Sequence, residues 1–383
     1  MANNVRTRPK NRRDSILAVA SARFHRHGYV GTSLEDIAGD LGITAPALYR
    51  HFRGKDALYT AVLDAHLTHV ERCVDEAASA AEAIAGLARV AVERPTLGMV
   101  WNTDRRRRLV DPDHAIQRRL VATADKLGAL LGDGEAGELE RLSARAVLAA
   151  TSSTGFYSSP LGPEGQAAEL ERALTAVATF RNTEELLDLE VAGEGIDSRP
   201  WATRRTVLLD AASFLIVERG GFHAVTIEDI ATAAGLGPNV LYLHFEGKAD
   251  LLAAVLDRAA TWLVGALERE SSSSATAEEA LARVITSSLE IGARHPSWTS
   301  TLADELANLP DPWFADLTAR VEAYLEEWVA LAAANAPGLS IEAAQVRIRA
   351  ALAVLDDRAH EAKERRVLAP DDMVRLIRAM LIS

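Results

Sequence analysis

TSLEDIAGDLGITAPALYRHFRGK, residues 32–55, and VTIEDIATAAGLGPNVLYLHFEGK, residues 225–248, are two spellings of one segment. A shift of 193 positions with no gap lays Glu35-Asp36-Ile37-Ala38 on Glu228-Asp229-Ile230-Ala231, Gly42 on Gly235 and Leu48-Tyr49 on Leu241-Tyr242. His51-Phe52 and Gly54-Lys55 fall on His244-Phe245 and Gly247-Lys248, and the match runs on to Asp64 on Asp257. Seventeen of the 37 positions from 28 to 64 are identical, far beyond chance for an ungapped shift. The repeat unit is half of the 383-residue chain, so a whole protein has been duplicated.

Each copy reads as helix. Ile16, Ala20 and Phe24 lie at i, i+4 and i+8 on a first helix that stops at Gly28. Ser33 caps a short second helix whose apolar positions are Leu34, Ile37, Ala38 and Leu41, and Gly42 breaks it. Thr44 is placed to cap a third helix with Pro46 in its first turn, and Lys55-Asp56 opens a long helix to about residue 78. Two short helices joined by a glycine turn and braced by a preceding helix make a helix-turn-helix.

Helices over 80–93, 96–108, 113–131, 137–158 and 164–180 complete the first unit, and no sustained alternation predicts a sheet. Thr183 to Ser198 holds six acids and two glycines ahead of Arg199-Pro200 and reads as a linker. The expected fold is therefore all-α, with two tandem units, each a three-helix head followed by a helical body. Its boundaries are a basic arm 1–11, a first head 12–56, a first body 57–182, a linker 183–200, a second head 201–249 and a second body 250–383.

Net charge is −12, yet residues 1–60 sum to +5 and everything after them to −17. A basic head on an acidic body suits a protein that touches DNA at one end and is repelled elsewhere. The second head lacks this balance: residues 200–251 carry four Lys/Arg against six Asp/Glu. One cysteine, Cys73, excludes a disulfide within the chain. With no apolar run of the ~18 residues that a membrane span needs and no signal-peptide pattern, no membrane partner is expected, and the chain should stay in the cytoplasm.

The order Thr32-Ser33-Leu34-x-x-Ile37-Ala38, Gly42, Leu48-Tyr49-x-His51-Phe52-x-x-Lys55, present twice, resembles the head of the TetR/AcrR family of transcription regulators. The fused form is similar to tandem repressors of lipid-uptake and lipid-metabolism operons in actinobacteria. The resemblance implies a repressor on the bacterial nucleoid that holds duplex operator DNA and releases it on binding a hydrophobic effector, such as a lipid, acyl or sterol derivative. It places Thr44, Ala45, Pro46 and Arg50 toward the major groove, with Tyr49, His51 and Lys55 on phosphates and Arg12 and Ser33 beside them. In the second head the counterparts are Thr226, Pro238, Asn239, Tyr242, His244 and Lys248. There Leu243 replaces Arg50, Glu246 replaces Arg53 and Gly237 replaces Thr44, so weaker binding to a different half-site is expected. The resemblance also implies pairing through the last two helices of each unit. Here that becomes an intrachain pseudo-dimer of 137–180 on 340–382, open to further homodimerisation, in which effector entry shifts the long helices 56–78 and 249–270.

For the effector, Met99, Trp101, Phe156 and Tyr157 are candidate pocket residues in one body, and Trp298, Trp313, Phe314, Tyr324 and Trp328 in the other, with core filling as the alternative. His66, His69 and Cys73 share one helix face at i, i+3 and i+7, which leaves metal or redox sensing as an alternative input. The second copy has Ala259, Trp262 and Ala266 there. A second half acting only as a structural or protein-interaction module is the other alternative. No Walker loop, GxSxG, HExxH or paired-cysteine site is present, so no enzymatic role, resident metal or cofactor is expected.

Overall fold

The structure is a computed structural model that describes residues 12–27, 29, 31–98, 115–132, 134–156, 159–188, 196, 201–219, 221–359 and 366–382. The first unit begins with α1 (Arg12–His27), α2 (Leu34–Asp40), α3 (Ala45–Tyr49) and the long α4 (Lys55–Asp75). Its body continues with α5 (Ala80–Glu93), a 3-10 turn (Pro95–Leu97), α6 (Ala115–Leu131), α7 (Glu138–Thr151) and α8 (Gly162–Thr179). The second unit repeats the plan with α9 (Arg204–Glu218), α10 (Ile227–Ala233), α11 (Pro238–Leu241) and the long α12 (Lys248–Ser272). Its body holds α13 (Ala277–Arg294), α14 (Pro296–Glu305), α15 (Asp311–Asn335), α16 (Ile341–Ala359) and α17 (Pro370–Ile382).

Local chemistry fixes the same helix ends in both heads. Ser33 Oγ accepts the Asp36 N–H while the Asp36 carboxylate accepts the Ser33 N–H, and Thr226 with Asp229 repeats this box. Gly42 (φ 63°) and Gly235 (φ 65°) then stop α2 and α10 in the left-handed region, where a side chain would be strained. The Ile43 N–H reaches the Ala38 carbonyl at 2.9 Å and the Leu236 N–H reaches that of Ala231 at 2.8 Å, the closing bonds of a Schellman motif.

Tertiary packing joins the halves. Helices α7 and α8 pack against α16 and α17. One continuous apolar cluster runs from Ile16, Leu48 and Leu63 through Val147 and Leu174 to Ile348, Ile377 and Leu381. The second head keeps a separate core of Leu208, Ile230, Leu241 and Phe245 with Trp298 and Leu317. Buried ion pairs cross between the halves. Arg145 holds Asp357 in a bidentate grip (2.8 and 3.1 Å), and Arg347 Nε meets Glu169 at 2.8 Å while its Nη1 donates to the Leu381 carbonyl. All four side chains are almost wholly buried.

The segment read as a linker starts inside the fold. The buried Asp372 carboxylate accepts the Thr183 and Glu184 N–H groups (2.9–3.0 Å) and the Thr183 hydroxyl, and it pairs with Arg375. Leu187 and Asp188 then pair antiparallel with Val367 and Arg366, the one ribbon among the described residues and a departure from the expectation of no sheet. Its two rungs are too short to leave an alternating pattern in the sequence. Helix 96–108 starts as the 3-10 turn Pro95–Leu97, and residues 99–114 lie outside the described residues, as does the arm 1–11.

Removing one partner of a buried, hydrogen-bonded ion pair strands a charge at a cost of about 3–5 kcal/mol, whereas an apolar replacement of both is often nearly neutral. Arg145→Ala should therefore lower the urea midpoint sharply, and Arg145→Met with Asp357→Leu much less. Equal losses would show that the pair is not desolvated as the packing requires.

Candidate nucleic-acid interface

Leu48 and Phe52 are buried in the head core, and this anchoring turns the residues between and before them outward. Thr44, Pro46, Arg50 and His51 are exposed, Tyr49 is 50% exposed, and Ala45 is partly covered. In the second head Leu241 and Phe245 are the anchors. Pro238, Asn239 and His244 are exposed, with Tyr242 at 57% and Leu243 at 76%. Tyr49, Arg50 and His51, and Pro238, Asn239, Tyr242 and His244, therefore present outward on α3, α11 and the turns after them.

Three expectations change. Thr44 occupies the N-cap of α3 in extended backbone but makes no side-chain cap bond, as Gly237 also makes none at α11. The Thr-to-Gly difference therefore costs the second head no cap, and it leaves Thr44 with a hydroxyl to offer. Ser33 and Thr226 already spend their hydroxyls within the capping boxes. Lys55 is a brace within the head: its Nζ donates to the Thr32 carbonyl at 2.9 Å and lies 4.4 Å from the centre of the Tyr29 ring. Lys248 repeats the cation–π contact over Phe222 at 4.2 Å, and burial lowers its pKa against the raising fields of Glu305 and Asp229. Arg13 over Phe52 and Arg205 over Phe245 (5.3 and 5.2 Å) hold the start of the first helix to the end of the recognition segment. Arg12 is exposed beside it.

Each head meets its body through different chemistry. In the first, His66 Nε2 lies 2.7 Å from Ser21 Oγ and 3.1 Å from Thr96 Oγ1, joining α4 to α1 and to the 3-10 turn, and His25 Nε2 bonds the Gly155 carbonyl at 2.8 Å. In the second, Arg258 bonds Asp210 at 2.6 Å and lies over Trp298 at 4.5 Å, and Trp298 stacks on His295 at 3.8 Å. The matching first-unit residues, Ala65 and Leu17, are apolar. The face His66–His69–Cys73 is thus divided between a seam and a partly covered thiol whose pKa burial raises. Among the described residues no three His, Cys, Asp or Glu side chains form a metal-ligand group.

The aromatic pocket set does not converge. Trp298 belongs to the second head's core and Trp328 to the other cluster, with Tyr324 edge-on to it at 6.4 Å. Trp313 and Phe314 stand exposed on the first turn of α15. Met99, Trp101 and Tyr157 lie outside the described residues, as does the side chain of Phe156. A cavity of about 40 Å³ between Leu142, Arg145, Val354 and Asp357 is sized for water rather than for an effector. Sequence reading missed Arg119 and Arg320, which grip Asp64 and Asp257. The signal was the identity of Asp64 and Asp257 in the repeat, beyond the last residue that the head itself needs.

Two heads of this geometry on helical bodies define a helix-turn-helix protein. Residues 16–62 and 208–255 each match the bacterial regulatory proteins of the tetR family. Both heads of the chain therefore carry that family's helix-turn-helix segment, in tandem. It is 31% identical over 118 residues to the HTH-type transcriptional repressor KstR2 of Mycolicibacterium smegmatis, covering 29% of this chain and 58% of that protein. It is 48% identical over 59 residues to the HTH-type transcriptional activator FasR of the same organism, covering 15% and 26%. Among solved structures, the ketosteroid transcriptional regulator KstR2 of Mycobacterium tuberculosis aligns with 49% of this chain and 96% of its own, at 22% identity and TM-score 0.42. The sequence matches thus span less than two thirds of either relative. Among the described residues no helix is long and apolar enough to cross a membrane.

The buried His66 carries a consequence for pH. Burial, with Arg94, His69 and His25 nearby, lowers its pKa to about 4. The unfolded imidazole titrates near 6.5 and takes up its proton first as pH falls. Stability is therefore intact above about pH 6.5 and is lost progressively toward about 4, by roughly 2 kcal/mol at pH 5. Urea midpoints from pH 7.5 to 5 should fall more steeply for the wild type than for His66→Gln. Parallel slopes would refute the assignment.

Proposed function

We propose that the chain is an effector-responsive transcription regulator, acting as a repressor, that grips a non-palindromic operator with two unlike heads. The observation that carries this reading is the duplicated outward display of Tyr-x-His beside a recognition helix, at Tyr49/His51 and again at Tyr242/His244. Pairing of α7–α8 with α16–α17 supports an intrachain pseudo-dimer, in which the covalent link keeps each half's partner at high effective concentration. Such a dimer sets two recognition helices about one DNA turn apart, roughly 34–36 Å. KstR2 is a repressor by name and FasR an activator. The reading follows KstR2, whose match extends past the head into the body. A hydrophobic effector of the lipid, acyl or sterol class would act by preferring the head spacing that does not fit DNA; equal affinity for both spacings would change nothing.

The heads differ where bases are read. Arg50 and Arg53 become Leu243 and Glu246, so the first head brings charge and a guanine-capable fork, and the second brings Asn239 and an apolar tip suited to a thymine methyl. Retention of Tyr242 and His244 at the exposed surface favours DNA contact by the second head over a purely structural role.

Binding to a duplex selected by the wild-type chain from a random-sequence pool tests the proposal. Affinity should fall steeply between about 50 and 200 mM salt through counterion release. Tyr49→Ala with Arg50→Ala should cost about ten- to a hundredfold, and Tyr242→Ala with Leu243→Ala clearly less. Base-by-base substitution should show two half-sites that differ in sequence. A failure to select any duplex would overturn the DNA-binding reading, and a perfect palindrome bound by one chain would overturn the reading of unlike heads.

A further inference from the structure

The two halves of the chain serve as each other's comparison. Most of the bodies have diverged beyond recognition, so any contact kept in both is informative. One has been kept. Arg119, in the second turn of α6, pairs with Asp64 on α4, and its Nη2 donates to Thr68 Oγ1 at 3.1 Å. Arg320, on α15, pairs with Asp257 on α12, and its Nη2 donates to Thr261 Oγ1 at 2.8 Å. Asp64 and Thr68 are related to Asp257 and Thr261 by the same 193-residue shift that relates the heads. The arginines are 201 residues apart, so the grip has survived an eight-residue change in the intervening chain. In each case one guanidinium edge spans an acid and a hydroxyl one helical turn apart on the long helix.

We propose that Arg119 and Arg320 are positioning residues for the heads. Each locks the long helix that carries a head to the body helix beside it, so that a displacement of α6 or α15 reaches the head as a tilt of α4 or α12. The long helices are suited to this. The first turns of α4 and α12 lie in the head cores through Leu58 and Leu251, while the clamps sit more than a turn further along. The two clamps are unequal. Arg119 also holds Glu71 through Nε (2.8 Å) and Nη2 (2.6 Å), one turn beyond Thr68, whereas the second unit has Val264 at the corresponding position. Arg119 thus grips its long helix at three points and Arg320 at two. The first follows its body closely, and the second is the more readily displaced.

The inference rests on the DNA-binding reading only for its functional consequence, so the test reads the heads with and without DNA. Nitroxide labels at Glu35→Cys and Glu228→Cys, exposed equivalents on α2 and α10, are introduced into the full chain with Cys73→Ser, and electron–electron distances between them are recorded. Arg119→Ala and Arg320→Ala should each broaden or shift the inter-head distance, Arg119→Ala the more. Lysine at either position, which keeps the charge but not the two-point grip, should be intermediate. Asp257→Arg alone should broaden the distribution, and Asp257→Arg with Arg320→Asp should restore it, a rescue that general destabilisation does not give. Affinity for a duplex selected by the wild-type chain should drop about fivefold or more for Arg119→Ala. Unchanged distances in both alanine variants would overturn the proposal. Should those variants fail to fold, failure of the charge exchange to restore the distance would overturn it equally. A chain that selects no duplex yet shows the distance changes would remove the DNA-binding reading and leave the clamps standing.

Discussion

Arg145 and Asp357 lie 212 residues apart in the chain and meet in a bidentate, almost wholly buried pair. Burying those charges is tolerable only if each finds the other in good geometry, so the pair ties α7 to α16 in one register. Arg347, held by Glu169 and the Leu381 carbonyl, does the same for α16 and the α8 and α17 helices beside it. Each arginine answers an acid of the opposite half, but on helices that do not correspond, so the interface is complementary without being symmetric. Buried alanines along α7, α8 and α16 (Ala144, Ala173, Ala344 and Ala351) let the backbones approach closely around these pairs. The continuous apolar cluster depends on this register, because it is what connects Val147 and Leu174 to Ile348 and Ile377.

From that fixed centre the two heads are carried outward on α4 and α12, and duplication has left them free to diverge at their tips. The cores of the heads are under the same steric demands and have kept the same residues: Leu48 and Leu241, Phe52 and Phe245, with the paired glycines at Gly42 and Gly235. The outward residues carry no such demand and have changed, Arg50 to Leu243 and Arg53 to Glu246. A homodimer cannot do this, since a substitution in one head is a substitution in both. Fusion removes that constraint and makes an asymmetric site readable by one chain.

The seams between heads and bodies have diverged as well, from an imidazole bonded to two hydroxyls in the first unit to a desolvated guanidinium–carboxylate pair against tryptophan in the second. The neutral seam lets His66 sit buried without a counter-ion, whereas the Arg258 guanidinium is charged in its seam and has Asp210 beside it to offset burial. The two halves therefore attach equivalent heads by unlike means at these seams, while the arginine clamps are kept in both.

The sequence by itself determined the duplication and the helices of the helix-turn-helix heads, because these rest on local rules: capping boxes at Ser33 and Thr226, left-handed glycines at 42 and 235, and apolar spacing along each helix. It also separated outward from inward residues on the recognition helices, since Leu48 and Phe52 leave Tyr49 and His51 nowhere else to point. It did not show that Lys55 also braces the head, because the Tyr29 ring and Thr32 carbonyl that hold it come from across a turn. Nor could it tell that Trp298 and Trp328 serve different cores, or that Thr183 is bound by Asp372. Helical periodicity says which face of a helix is apolar but not which helix that face meets. The pairing of Arg145 with Asp357 and of Arg119 with Asp64 was decided only when tertiary packing brought distant charges to places where neither could remain alone.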